Sequence, residues 1–307
     1  MTIVIGHRGA CGYRPEHTRA SYDLALEQGA HALEPDVVVS RDGVLVVRHE
    51  NEIGGTTDVA DHPEFADRRT TKTVDGASLT GWFAEDFDWA ELATLRCRER
   101  LPELRPASAA FDGQERMLRL SEVAQLAADA GATLVAEVKH PTFFAAQGIP
   151  FLDLVAAELA GVERLVVECF ERSALLGLRE RGVRAPLVYL FDDAGCAPDS
   201  DESYAAELAR LESLEVDGVS VPKSMLLADT DLPRRAHAAG LLAYVYTLRP
   251  ENHFLDGRWR DGTDDGAYGD YPAEWAAILA TGVDGVFADH PNLAIDALGR
   301  SGIGGPA

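Results

Sequence analysis

Eight short apolar runs, separated by segments of helical pattern, constrain the fold of this chain more than any other feature. The runs are Thr2–Ile5, Ala32–Val38, Thr133–Val138, Leu165–Cys169, Pro186–Leu190, Gly218–Val221, Leu241–Tyr246 and Gly285–Ala288. Most are continuously apolar rather than alternating, the pattern of parallel strands covered on both faces. Helix-length segments follow at Thr18–Gln28, Ser121–Ala130, Leu152–Ala160, Arg172–Arg181, Ser203–Leu214, Leu232–Ala239, Pro272–Thr281 and Pro291–Leu298. Gly29, Gly131, Gly182 and Gly240 stand just past four of them, the place of a left-handed C-cap. Eight strand–helix units in series predict an α/β fold, a single (β/α)8 TIM barrel over residues 1–307. Residues 51–116 break the rhythm. They are rich in Thr, Asp, Arg and Pro, show no repeat, and read as an insertion subdomain between the second and third units.

Composition narrows the function. The net charge is 28 − 51 = −23, with 46 % hydrophobic and 26 % charged residues. That acidity argues against nucleic acid or an anionic membrane surface as the main partner, since both call for a basic face. It is dispersed, as on a solvated surface. No run approaches the roughly 18 apolar residues of a membrane span, and no stable membrane association is expected. Cys11, Cys97, Cys169 and Cys196 form no CxxC pair, so a structural zinc site is not expected and free thiols are. The N-terminus enters the first strand at once, with no basic or long apolar leader region, which reads as cytoplasmic. Nothing in the sequence specifies an oligomeric state.

Barrel enzymes carry their chemistry at the C-terminal strand ends. The first run leads into His7 and Arg8. The second holds Glu34 and Asp36, two positions apart and so on one face of a strand. A ribbon at Gly43–Val47 delivers His49, and the third run ends in Glu137 and Lys139, again two apart. Three converging carboxylates repel unless a divalent cation neutralises them. All-oxygen ligands suit Mg²⁺ or Ca²⁺ better than Zn²⁺. Arg8 and Lys139 add phosphate-binding charge, and two imidazoles supply general acid–base capacity. Singly, each of these is as well explained by an internal ion pair or a structural histidine. Gathered at one barrel end, they point to metal-assisted phosphodiester chemistry.

The motif His7-Arg8-Gly9-Ala10-x-Gly12-x-x-Pro15-Glu16-His17-Thr18, then Glu34-x-Asp36-Val37 through Asp42-Gly43 to His49, then Glu137-x-Lys139, resembles the glycerophosphodiester phosphodiesterases. The likeness continues through Cys169-Phe170, Tyr246-Thr247 and Gly282–Pro291, and Thr57–Asp61 is similar to the start of the insertion in the longer, bacterial periplasmic type. The resemblance implies that His7 and His49 are the acid–base pair. It implies Glu34, Asp36 and Glu137 as metal ligands, with Arg8 and Lys139 at the phosphate. It further implies attack by the substrate's own glycerol hydroxyl, a cyclic phosphate opened by water, and release of sn-glycerol 3-phosphate and an alcohol such as choline or ethanolamine. The chain departs from the family in Glu50, where Asp is commoner, and in Glu168, where a small or amide side chain is expected; the signal peptide of the periplasmic relatives is not expected here.

Other residues get weaker assignments. Arg249 and His253 follow the seventh run, and Arg249 is taken as substrate-binding; Lys223 is a further phosphate candidate. His17 is expected to support the site through a local hydrogen bond, and His62, His140 and His237 have no role. The Asp- and Gly-rich residues 256–270 fail the EF-hand pattern, because Pro272 stands where the bidentate Glu belongs, and read as a mobile solvated loop or lid. Two rival readings are a lysophospholipase D-type lipid phosphodiesterase, with Trp82, Phe83, Phe87 and Trp89 forming an apolar groove, and a catalytically silent barrel that binds a phosphorylated ligand. The complete set of two histidines and three carboxylates argues against the second.

Overall fold

A computed structural model describes residues 1–193, 195–200 and 202–300. Among the described residues twelve strands form: β1 (Ile3–His7), β2 (Ala32–Glu34), β3 (Asp36–Val39), β4 (Leu45–Val47), β5 (Thr70–Val74), β6 (Ala77–Gly81), β7 (Thr133–Val138), β8 (Leu165–Cys169), β9 (Leu187–Leu190), β10 (Gly218–Pro222), β11 (Leu242–Leu248) and β12 (Gly285–Ala288). Eight parallel staves close into a barrel: β1, β2 running into β3, and then β7 to β12, with β1 beside β12 and β7 beside both β2 and β3. The predicted second strand is broken in two at Pro35, which has no N–H to give the ladder. Its carbonyl still accepts from Glu137 N at 3.0 Å, so the stave runs on. β4 folds back antiparallel on β3, the expected ribbon.

Alternation along each stave explains the continuous apolar runs. Ile5, Ala32, Val135, Val166, Val188, Tyr244 and Phe287 pack together as one cluster inside the ring. Their neighbours Val4, Leu33, Leu134 and Val167 belong to the larger core shared with the helices. Both faces are buried, so neither needs a polar residue.

The outer helices include Arg19–Glu27, capped by the Thr18 hydroxyl accepting from Ser21 N at 3.1 Å, and Leu120–Ala130, ended by Gly131 in the left-handed region at φ 65°. One expectation fails. The helix predicted over Ser203–Leu214 stops after Tyr204–Leu208, and a 3₁₀ turn follows at Leu211–Ser213. The backbone leaves helical geometry at Arg210 (φ −127°, ψ 43°), and Leu208, Leu211 and Leu214 are all buried.

Residues 51–116 hold short turns and the β5–β6 hairpin, and Phe65, Phe83, Phe87, Leu92 and Leu95 join the main core. Phe83 and Phe87 are fully buried, while Trp82 and Trp89 pack against the same core and the Trp82 indole donates to Phe65 O at 2.8 Å. These aromatics are packing residues, not the walls of a lipid groove. Among the described residues, no helix is long and apolar enough to cross a membrane.

Candidate active site

The inward alternation that fills the barrel with apolar groups continues upward into charged ones. Ile5 is succeeded by His7, Ala32 by Glu34 and Asp36, Val135 by Glu137 and Lys139, and Val166 by Glu168 and Phe170. Strand register then sets Asp36 beside Glu137, and Glu137 beside Glu168.

Glu34, Asp36 and Glu137 bring carboxylate oxygens within 4.8 Å of one another. Arg8 N donates to Glu34 Oε2 at 2.8 Å, and His17 Nε2 lies 2.9 Å from Asp36 Oδ2, its Nδ1 2.7 Å from the Tyr22 hydroxyl. His17 makes the expected local hydrogen bond, to Tyr22, and through its other nitrogen also orients the Asp36 carboxylate. Lys139 Nζ donates to Glu137 Oε1 at 2.6 Å and lies 3.6 Å from Asp36 Oδ1, while Arg8 Nε lies 3.1 Å from Asp36 Oδ2. Glu34 Oε1, Asp36 Oδ1 and Glu168 Oε2 are buried with no hydrogen-bond partner. Glu168 joins no ion pair among the described residues; it faces the same cavity as Glu34 and Glu137. Burial, followed by the neighbouring carboxylates, pushes Glu34 and Glu168 well above the usual carboxylate range and Glu137 to about 8. Burial acts the same way on Asp36, but Lys139 and Arg8 outweigh it and hold Asp36 well below that range. Ionised together, these four carboxylates would outnumber the two cationic side chains facing them by two, the charge that one divalent cation supplies. An oxygen-only set with unfilled lone pairs fits one hard divalent cation.

The two histidines approach the same cavity, about 370 Å³ in volume, from either side. His7 Nδ1 lies 2.6 Å from Asp289 Oδ1, and His49 Nδ1 lies 2.5 Å from Glu50 Oε1. A carboxylate at that distance takes the Nδ1–H, which leaves Nε2 with its lone pair. Burial, then the charge of Arg8, lowers His7 to about 4 and His49 to about 3, so both rings are neutral at pH 7. Asp289 Oδ2 accepts from Arg105 Nη2 at 2.6 Å and from Arg249 Nε at 2.8 Å. Burial favours protonating Asp289, but Arg249 and Arg105 keep it ionised.

The other wall is apolar: Phe170, Leu190, Pro222, Tyr246, Phe254 and Phe287. Arg249 lines the cavity as expected, with its guanidinium 4.5 Å from the Phe254 ring centre. Lys223 lines it too, paired with buried Glu274 at 2.5 Å. His253 does not. Its ring is exposed and lies 3.7 Å from Asp265. The 256–270 loop is largely exposed, as expected, and is bonded to Asn252. The Asn252 amide donates to Asp261 O at 2.6 Å and Asp264 O at 2.9 Å, and accepts from Asp261 N at 2.8 Å.

Sequence reasoning passed over Asp289, Arg100 and Arg105. Asp289 had a signal, since it sits in the matched segment at the end of the last strand. The two arginines lie in the patternless insertion, where no local cue marks them.

The sequence profile of the Glycerophosphoryl diester phosphodiesterase family matches residues 7–293. Glycerophosphodiester phosphodiesterase GDPD6 of Arabidopsis thaliana is 31 % identical over 318 residues, covering 93 % of this chain and 82 % of its own. The glycerophosphodiester phosphodiesterase of Bacillus subtilis is 25 % identical over 95 % of this chain and 84 % of its own. An Oleispira antarctica phosphodiesterase, solved in complex with the product sn-glycerol-3-phosphate, shares the fold at a TM-score of 0.65 and 22 % identity, with 97 % of each chain covered. A closed parallel barrel with its charged residues at the strand ends, together with a profile match across nearly all of its length, places this chain in the glycerophosphoryl diester phosphodiesterase family.

Proposed function

We propose that the protein hydrolyses small glycerophosphodiesters, such as glycerophosphocholine or glycerophosphoethanolamine, to sn-glycerol 3-phosphate and an alcohol, using His7 and His49 as acid–base pair and one Mg²⁺ or Ca²⁺. The observation that carries this reading is the pairing of two neutral imidazoles with a close oxygen-only carboxylate set whose buried oxygens lack partners. Glu34, Asp36 and Glu137 would hold the cation, with Glu168 behind them; bound there, it supplies positive charge to a phosphate oxygen. Arg8 lines the same cavity and offers further charge to the phosphate. Lys139 contributes through Glu137 and Asp36, which it pairs with. One Nε2 takes the proton of the attacking hydroxyl, and its carboxylate stabilises the imidazolium that forms. The other ring, protonated once the anionic substrate offsets Arg8, returns a proton to the leaving alcohol oxygen. The glycerol's own hydroxyl is the nucleophile, so no side chain need form a covalent bond; its attack releases the alcohol and leaves a cyclic phosphate, which a water deprotonated by the second ring opens to sn-glycerol 3-phosphate while the first ring returns its proton to the departing glycerol oxygen. Arg249 and the aromatic wall are placed to contact the rest of the substrate. The free cysteines support a reducing, cytoplasmic setting.

The test is release of sn-glycerol 3-phosphate from both diesters by chelator-stripped protein given Mg²⁺ or Ca²⁺, beside His49→Ala. Metal-restored release that the substitution cuts by about 10²-fold or more is the expected result. No release by folded, metal-loaded protein overturns the small-diester reading, and lysophospholipids become the next substrates to try.

A further inference from the structure

Arg100 and Arg105 stand at the two ends of a single turn, in which Leu104 N and Arg105 N both donate to Leu101 O at 3.0 and 2.8 Å. From this turn the two side chains reach in different directions. Arg100 Nη1 and Nη2 donate to Glu50 Oε1 at 2.9 Å and Oε2 at 2.6 Å, while its Nε and Nη2 donate to the two oxygens of Glu16, each at 2.7 Å. Arg105 Nη2 donates to Asp289 Oδ2 at 2.6 Å, its Nε to Glu251 Oε1 at 2.7 Å, and its Nη1 to Cys11 O at 3.3 Å. Glu50 and Asp289 are the carboxylates that hold Nδ1 of His49 and of His7.

Both imidazoles are therefore held by the same relay: guanidinium, carboxylate, Nδ1. We propose that the Arg100–Arg105 turn of the insertion is a positioning element for both histidines at once, fixing each ring in the Nδ1–H tautomer with Nε2 toward the cavity. The proposal rests on the reading of His7 and His49 as the acid–base pair. Neither arginine lines the cavity, and Arg105 is 6 % exposed with all three of its nitrogens engaged, so direct substrate contact is not their role. The physical need is clear from topology. His7 ends a barrel strand, whereas His49 lies beyond the β4 ribbon, outside the parallel ring. Arg100 grips both oxygens of Glu50 and removes its rotation, while Arg105, sharing Asp289 Oδ2 with Arg249, pins that carboxylate with a single bond; each carboxylate so held fixes the ring that donates to it. One rigid turn sets both rings in a common frame.

The test uses Arg100→Gln, Arg105→Gln and Arg105→Lys in the full chain, with ¹⁵N-histidine spectra of the substrate-free protein and steady-state kinetics on glycerophosphocholine. In Arg100→Gln, the His49 nitrogens should shift from the Nδ1–H pattern toward a tautomer mixture while His7 is unchanged; in the Arg105 variants the reverse holds. In each, kcat should fall about 10- to 100-fold, the usual size for such supporting groups, with KM within about threefold. Arg105→Lys keeps a charge on Asp289 if Arg105→Gln does not fold, and the partly exposed Arg100 tests the other half independently. Unchanged tautomers in folded variants, or equal disturbance of both rings by either variant, overturn the proposal. Tautomer shifts as expected in a protein whose wild type releases no sn-glycerol 3-phosphate would uphold the relay and sink the functional reading instead.

Discussion

Two clusters at the mouth each bring three metal-capable groups within 4.8 Å, Glu34–Asp36–Glu137 on one side and His7–Cys11–Asp289 on the other. By ligand spacing they are equivalent, and by electrostatics they are opposites. Asp289 is bonded by His7 on one oxygen and by Arg105 and Arg249 on the other, and burial, followed by Asp289 itself, pushes the Cys11 thiol well up and keeps it protonated. That side has its charge already neutralised by the protein. The acidic side keeps buried carboxylate oxygens without partners and two carboxyls, Glu34 and Glu168, whose ionisation no side-chain ion pair offsets. Proximity of ligand atoms alone does not make a cation site. Unmet charge and unmet hydrogen-bonding capacity do, because an unpaired buried charge is so unfavourable.

The largest effects should come from the groups both sides turn toward the substrate. His7→Ala and His49→Ala should each lower kcat by about 10²- to 10⁴-fold in the sn-glycerol 3-phosphate assay; an effect below tenfold for either would break the two-histidine scheme. Next come the carboxylates themselves. Asp36→Asn should weaken Mg²⁺ or Ca²⁺ binding by at least about 10²-fold in calorimetry, beyond the 10- to 100-fold usual for residues behind a ligand, whereas Asp289→Asn should leave it unchanged. Equal losses would erase the contrast between the two clusters.

Acid sensitivity offers a third measure. His7 sits at about 4 in the fold against about 6.5 in an unfolded chain, so the unfolded state binds more protons between those values. Its contribution is present above pH 6.5 and is lost as pH falls toward 4, about 3 kcal/mol in all at 1.36 kcal/mol per unit. Denaturant titrations of metal-free protein at pH 7 and pH 4 should show that loss, and His7→Asn should reduce it. A smaller effect, on the order of tenfold in cation affinity, is expected for Glu168→Gln, which removes an ionisable oxygen beside the close triad but none of its ligands. Cys11→Ala should change cation affinity not at all; a measurable loss would mean that the second cluster binds after all.

The barrel and the acidic side were legible because both follow from short-range rules. Glu34 and Asp36, or Glu137 and Lys139, two positions apart on strands whose other residues are apolar, have to share a face. The inward ladder from Ile5 to His7 or Val166 to Glu168 is the same rule carried one step further. The broken helix at Arg210 was not legible, since no Gly or Pro marks it and only burial of three leucines explains the change in path. The 256–270 loop is solvated as its composition says, but its anchoring by the Asn252 amide was not legible.

By itself the sequence determined the staves, the inward faces and the carboxylate pairs, because side-chain alternation along a strand is set by covalent geometry within a few residues. Glu50 stands next to His49 in the chain, but only the tertiary structure decided that Asp289 holds His7 and which arginine holds each carboxylate. His7 meets Asp289 across 282 positions, and Asp289 meets Arg105 across 184. Those partners are chosen by the demand that every buried charge find a counter-charge in a medium that cannot solvate it, and that demand is met in space, wherever the chain happens to return.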